Sequence, residues 1–182
     1  AEQEPQLAHA INAVAPQVLA EEARLLGCGM IHYSTDYVYD GSKGAPYLET
    51  DTTNPLNVYG ASKLAGDLAV AESGVDYLVL RTSWVYGARG ANFLRTILRL
   101  AAEREELKIV ADQIGAPTWS RMIAEATAAI VAQCYGAKPT GLAPFKGVYH
   151  LTNAGQTSWH GFTEAILALT ADFASSQGRK LQ

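Results

Sequence analysis

The sequence predicts an α/β fold built on a parallel sheet, and three observations carry that prediction. Runs at 29–34, 76–83 and 147–151 read as strands: the first is near-continuously apolar, as parallel-sheet strands are, and the second has the apolar centre Tyr77-Leu78-Val79-Leu80. Longer stretches with apolar residues at helical spacing lie between them. Polar, aromatic loops follow the first two runs, Ser34-Thr35-Asp36-Tyr37-Val38-Tyr39 and Ser83-Trp84-Val85-Tyr86. In open α/β sheets, ligands bind at the carboxyl ends of strands, so these loops are the first place to look for function.

Bulk properties narrow the classes. At 182 residues the chain can bury one good core or two small lobes. Apolar content of 48% and charged content of 18% are ordinary for a globular protein. A net charge of −4 with scattered Lys and Arg gives no footprint for nucleic acid. No apolar run approaches the ~20 residues of a membrane span, and no signal peptide is expected. Cys28 and Cys134 are far apart and lack metal-ligand spacing, so both are expected to be buried free thiols in a reducing, cytoplasmic compartment. His9, His32, His150 and His160 form no ligand cluster, and no metal is expected.

The elements follow in order. Residues 6–26 read as a helix with Leu7, Ala10, Ile11, Val14, Val18, Leu19 and Leu25 on one side, bent or delayed by Pro16 and closed by Gly27. Asn12 reads as an exposed or capping residue within it. The strand at 29–34 delivers Ser34, Thr35 and Asp36. Asp40-Gly41-Ser42-Lys43-Gly44 is a turn cluster. Glu49 and Asp51 are expected to complement the dipole of the helix entered at Asn54-Pro55. The strand at 76–83 ends at Trp84, with Arg81 placed for a phosphate or a carboxylate. Asn92 caps a helix to about Glu103 with a stripe of Leu94, Ile97, Leu98 and Leu100. A strand at 107–111, a helix at 120–135, a Gly/Pro-rich linker at 138–146, a strand at 147–151 and a helix capped by Thr157-Ser158 complete the chain, with a frayed end at 175–182.

The chemistry centres on Asn54-Pro55-Leu56-Asn57-Val58-Tyr59-Gly60-Ala61-Ser62-Lys63. Tyr59 and Lys63 are four residues apart and share one helix face. A free phenol keeps its proton to about pH 10, and a nearby ammonium lowers that value. The expectation is a tyrosine tuned by Lys63 to exchange a proton with a carbonyl or alcohol oxygen. Alone, so short a pattern also fits any amphipathic helix.

The run Ser34-Thr35-Asp36-Tyr37-Val38-Tyr39-Asp40-Gly41, the Tyr59/Lys63 run and Asp112-Gln113-Ile114-Gly115-Ala116-Pro117-Thr118 resemble, in that order, the extended short-chain dehydrogenase/reductases, and among them the dTDP-4-dehydrorhamnose reductases. The resemblance covers about residues 1–174. It implies a partial Rossmann-like, doubly wound parallel sheet over 1–106 and part of a smaller substrate-binding lobe over 107–182. It also implies hydride transfer from NADPH or NADH to C4 of dTDP-4-dehydro-L-rhamnose, giving dTDP-L-rhamnose. By that resemblance Tyr59, Lys63 and Thr35 are catalytic, and Tyr33, Tyr59 and Lys63 lie at the cofactor. Thr35, Asp36, Tyr37, Trp84 and Asn92 contact the dTDP-sugar. The glycine-rich phosphate loop of such folds is absent, so the chain is expected to be an internal fragment with little activity of its own. Oligomeric state stays open, a homodimer of the longer protein included. Two alternatives remain: another nucleotide-sugar reductase or epimerase, and a non-catalytic regulatory subunit on the same scaffold.

Overall fold

The structure is a computed structural model that describes residues 1–136 and 139–176. It opens with α1 (Pro5–His9), a π-helical turn (Ala10–Val14) and α2 (Ala15–Leu25). There follow β1 (Met30–Thr35), a 3-10 turn (Asp36–Val38), α3 (Val58–Glu72), β2 (Tyr77–Thr82), β3 (Val85–Tyr86), α4 (Phe93–Glu103), β4 (Ile114–Gly115), β5 (Thr118–Trp119) and α5 (Ser120–Tyr135). A 3-10 turn (Ala143–Phe145), β6 (Gly147–His150), β7 (Thr157–Ser158) and α6 (Trp159–Ser176) complete it.

The chain forms two compact units, and the division differs from a single cut near residue 106. One unit comprises Ala1–Thr82 with Ala126–Leu151; the other comprises Ser83–Glu125 with the chain from Thr152 onward.

The first unit is a parallel three-stranded sheet, order β1-β2-β6, with helices on both faces. Side chains alternate across a strand. Tyr77 and Val79 of β2 therefore meet Ala20, Val70 and Val75 on the α2/α3 side. Leu78 and Leu80 meet Cys134 and Leu142 on the other. β1 obeys the same parity. Met30 joins the α2/α3 cluster, His32 lies beside Asp67 of α3 and Ser34 hydrogen-bonds to it; Ile31 joins the opposite cluster. The α/β fold with a parallel sheet is thus the one the sequence predicts.

The opening helix departs from its expected form. Pro16 has no N–H to give the Asn12 carbonyl, and the wider π-helical turn falls at that point. Asn12 is a half-buried contact and not an exposed residue. Its amide donates to the Ser62 hydroxyl at 3.0 Å, and its carbonyl lies against Gly66, where any Cβ would collide with it. The buried side of this segment is the small one, Ala8, Ala13, Pro16 and Ala20, because α3 approaches closely there. Leu7, Ile11, Val14, Val18, Leu19 and Leu25 are exposed instead.

Other expectations also need correction. Residues 107–111 form no strand; no neighbouring strand accepts them, and the Val110 carbonyl takes a hydrogen bond from the His160 N–H. On α4 only Ile97 is fully buried, and Leu98 is exposed. Cys28 is exposed in the turn after α2, whereas Cys134 is buried; both are free. The polar end expected at 175–182 lies mostly outside the described residues, α6 running to Ser176. No described helix is long and apolar enough to cross a membrane.

The second unit is built from two small strand pairs, β3 parallel to β5 and β4 antiparallel to β7, with α4 packed on α6.

Candidate active site

The site in the first unit is organised by the start of α3. A helix leaves its first four N–H groups without intrahelical partners. Here the Asn57 side chain accepts from Gly60 N at 2.7 Å, and the Glu2 carboxylate accepts from Val58 N and Tyr59 N at 3.0 and 3.2 Å. Glu2, not Glu49 or Asp51, is therefore the anion at this helix terminus. Glu49 accepts from His150 N, and Asp51 pairs with Lys43.

Tyr59 and Lys63 stand one turn apart on α3, beside the carboxyl end of β1. Tyr59 is 38% exposed, and the edge of its ring system meets Tyr37 at a centroid distance of 5.8 Å and 73°. Gly60 permits this approach, since a Cβ there would strike the Tyr37 carbonyl oxygen. Thr35 ends β1 and is buried. Its hydroxyl accepts from Tyr37 N and donates to Asp36 Oδ1, both at 3.2 Å. Thr35, Asp36, Tyr37 and Tyr59 are thus brought into one neighbourhood. Tyr33, 42% exposed, joins it through Lys63: the ammonium donates to the Tyr33 carbonyl at 2.6 Å, while the Tyr33 phenol bonds Thr127.

The electrostatics differ from the expected tuning. Burial pushes the Tyr59 phenol above its ordinary value; hydrogen bonding with Thr35 opposes the rise, and the Asp36 charge adds to it. Lys63 does not lower it, because its ammonium is held on the Tyr33 carbonyl and lies 3.5 Å from His32 Nε2. Burial lowers the Lys63 pKa, and Asp67 partly restores it. Burial also raises the Asp36 carboxyl to about 6, against hydrogen bonding from Thr35.

Beneath these groups lies a buried polar network. Asp67 Oδ2 accepts from Ser34 Oγ at 2.9 Å and from Arg81 Nε at 3.2 Å. Arg81 also donates to the Tyr39 oxygen at 2.8 Å, so it serves a carboxylate and a phenol inside the fold and not a phosphate. Asp67 Oδ1 is 3.5 Å from His32 Nε2 and has no hydrogen-bond partner among the described residues.

Trp84 and Asn92 belong to the second unit. Trp84 stacks on Trp159 with centroids 3.5 Å apart and planes 8° from parallel. It is the one described non-glycine residue with positive φ, at 45°. Such a backbone costs roughly 1–3 kcal/mol and persists only where the surroundings impose it. The Asn92 side chain is committed to its own loop and helix: it donates to the carbonyls of Gly87, Arg89 and Gly90 and accepts from Arg95 N.

Sequence reasoning missed Glu2, Asp67 and Trp159. Asp67 had a signal, since it continues the i, i+4 row of Tyr59 and Lys63. Glu2 and Trp159 reach their partners over 56 and 75 positions of chain, and nothing local announces such contacts.

The donor set at the end of β1 fits a nicotinamide nucleoside. A half-exposed phenol and an ammonium on one helix face can hydrogen-bond ribose hydroxyls, next to a threonine hydroxyl suited to a carbonyl oxygen. Among the described residues no group of three or more His, Cys, Asp or Glu could hold a metal ion.

The model of the family described as RmlD substrate binding domain matches residues 1–178. The chain is similar to a dTDP-4-dehydrorhamnose reductase of Burkholderia thailandensis, 58% identical over 168 residues, covering 92% of this chain and 56% of that protein. Its structure is similar to the crystal structure of dTDP-4-dehydrorhamnose reductase from Bacillus anthracis in complex with NADP. There the TM-score is 0.81 at 39% identity, covering 93% of this chain and 57% of that one. The corresponding reductase ortholog of Clostridium acetobutylicum gives a TM-score of 0.85 at 35% identity, with the same coverage. The chain spans a little over half the length of the curated relatives it matches.

Proposed function

Because the chain belongs to the RmlD substrate-binding-domain family, we propose that the protein is a cytoplasmic reductase that converts dTDP-4-dehydro-L-rhamnose to dTDP-L-rhamnose with NADPH or NADH. The observation that carries the proposal is the grouping of Thr35, Asp36, Tyr37 and Tyr59 at the carboxyl end of β1, with Lys63 one turn along α3.

A bound nicotinamide supplies the hydride that reduces C4. The protein supplies orientation and a proton. Thr35 donates its hydroxyl to the carbonyl oxygen, giving up its bond to Asp36 Oδ1 as it does so. Tyr59, kept protonated by its raised pKa, delivers its proton to the oxygen as negative charge develops there. The resulting phenolate recovers a proton from solvent, to which the residue is open. Lys63 is anchored by the Tyr33 carbonyl and presents its remaining N–H groups to ribose hydroxyls. Tyr37 packs its ring against that of Tyr59, and Asp36, released by Thr35, accepts from sugar hydroxyls.

The test is a spectrophotometric assay of the complete protein with NADPH and dTDP-4-dehydro-L-rhamnose, and mass analysis of the nucleotide sugar. The expected result is stoichiometric NADPH oxidation and a product two hydrogens heavier. Absence of NADPH oxidation with this substrate would defeat the proposal.

A further inference from the structure

Lys63 and Asp67 stand four residues apart on α3, the spacing at which opposite charges meet on a helix. On α4 and α5 the same pattern, a cation followed by a carboxylate one turn later, closes into ion pairs. Arg99 meets Glu103 at 2.9 Å and Arg121 meets Glu125 at 2.7 Å. Lys63 and Asp67 form no such pair. The Lys63 ammonium donates to the Tyr33 carbonyl at 2.6 Å. Asp67 commits Oδ2 to Ser34 and Arg81, and its Oδ1 is left without a hydrogen-bond partner among the described residues.

The His32 ring separates them. His32 is 8% exposed and enters from β1, with Nε2 3.5 Å from Lys63 Nζ and 3.5 Å from Asp67 Oδ1. One ring nitrogen of a neutral imidazole cannot serve both groups: it accepts from the ammonium or donates to the carboxylate. Only the Lys63 side has hydrogen-bond geometry, so Nε2 is the acceptor there and Oδ1 goes without a donor. A buried carboxylate oxygen with no donor is unfavourable, and a flexible ammonium one turn away is its natural partner. The Asp67 charge already acts on Lys63, opposing the burial that lowers the lysine pKa. The imidazole stands in the way of that pairing.

We propose that His32 is a positioning residue for the cofactor. Standing between Lys63 and Asp67, it stops the ammonium from collapsing onto the buried carboxylate. Lys63 then stays on the Tyr33 carbonyl with an N–H left for the ribose of the nicotinamide nucleotide. The inference rests on the reductase reading given above and deepens it. His32 acts through Lys63 and need not touch the cofactor. Its loss should therefore fall on cofactor affinity and not on the nucleotide half of the sugar substrate.

The test uses the complete protein and two readouts. The first needs no cofactor: brief acylation with acetic anhydride, the rate at Lys63 being read by peptide mass spectrometry against the exposed Lys108. In His32→Ala, Lys63 pairs with Asp67, its pKa rises, and it reacts about tenfold more slowly. The second readout is equilibrium titration with NADPH and, separately, with dTDP. In the same variant NADPH binds about tenfold more weakly, the worth of one hydrogen bond from a charged donor, and dTDP binding is unchanged. His32→Gln, which returns a polar side chain to the gap, brings both readouts to within about threefold of wild type. Adding Asp67→Asn to His32→Ala removes the charge that draws the lysine away and restores NADPH affinity to the same extent. His32→Val, suited to a strand, also removes the ring and serves if the Ala variant does not fold. Unchanged Lys63 reactivity in the variants that lack the ring overturns the inference. So does an equal loss of NADPH and dTDP affinity, which marks a purely structural role. So does a double variant that binds NADPH as weakly as His32→Ala. If the wild-type protein binds no NADPH, the reductase reading fails and takes the inference with it. If it binds NADPH and His32→Ala binds it as tightly, the inference alone fails.

Discussion

Replacing Asp67 by Asn probes the buried network beneath Tyr59 and Lys63. Asp67 is 3% exposed and Arg81 6%, so neither charge is solvated by bulk water. The pair is closed by Arg81 Nε on Asp67 Oδ2 at 3.2 Å and reinforced by Ser34 at 2.9 Å. Removing one member of such a pair strands the other, at a cost of about 3–5 kcal/mol. Arg81 keeps its bond to Tyr39, and the ring of Tyr39 lies 5.4 Å from the guanidinium carbon. That residual support places the expected loss at the lower end, about 3 kcal/mol. In a protein of this size that is a fall of about 6–12 °C in Tm. The assay is thermal and urea unfolding followed by circular dichroism, for Asp67→Asn, Arg81→Met and the double variant. The double variant should recover about 2 kcal/mol of the two single losses, because it removes the orphaned charge together with its partner. A loss under about 1 kcal/mol for Asp67→Asn, or strict additivity in the double variant, would refute the reasoning.

Two further outcomes follow from the site. The Asp36 carboxyl titrates near 6 in the folded protein and at 3.8 unperturbed, so the folded state binds the proton more tightly. Stability should accordingly fall as pH rises from about 4 to 6, and Asp36→Asn should remove that slope and gain of order 2 kcal/mol at pH 7. Unfolding measured across that pH range checks it, and an unchanged slope in the variant contradicts it. Gly60→Ala should cost about 1–3 kcal/mol, because the added Cβ must displace the Tyr37 carbonyl. The same displacement shifts the Thr35–Tyr37 turn, so turnover of the complete protein should fall more than stability alone explains.

Much of this architecture was legible in the chain itself. The runs at 29–34 and 76–83 became adjacent parallel strands and Asn92 caps the helix that follows it, whereas the helix expected to be entered at Asn54-Pro55 begins at Val58 with Asn57 as its cap. Local signals sufficed there, because strand period and cap chemistry are set by neighbouring residues. The helix at 120–135 matches its expected bounds for the same reason. The errors arose where distant chain decides. The exposed leucine side of α1 and α2 carries the stronger apolar pattern, yet α3 selected the alanine side because backbones approach closely at Gly66. Residues 107–111 had strand-like composition but no partner strand. Lys63 was expected to act directly on Tyr59, and spacing could not disclose the Tyr33 carbonyl that holds the ammonium. The role of Asn92 at a ligand had no local signature separable from capping, and its amide is filled by loop carbonyls.

The central claim is that Tyr59 is the proton donor, with Thr35 orienting the oxygen that receives the proton. The most direct measurement is single-turnover NADPH oxidation by the complete protein carrying Tyr59→Phe, with cofactor and sugar saturating. Removing the phenol oxygen should slow the chemical step by about 10²–10⁴-fold while leaving nucleotide affinity nearly unchanged. A Phe variant that oxidises NADPH at the wild-type rate would contradict the account.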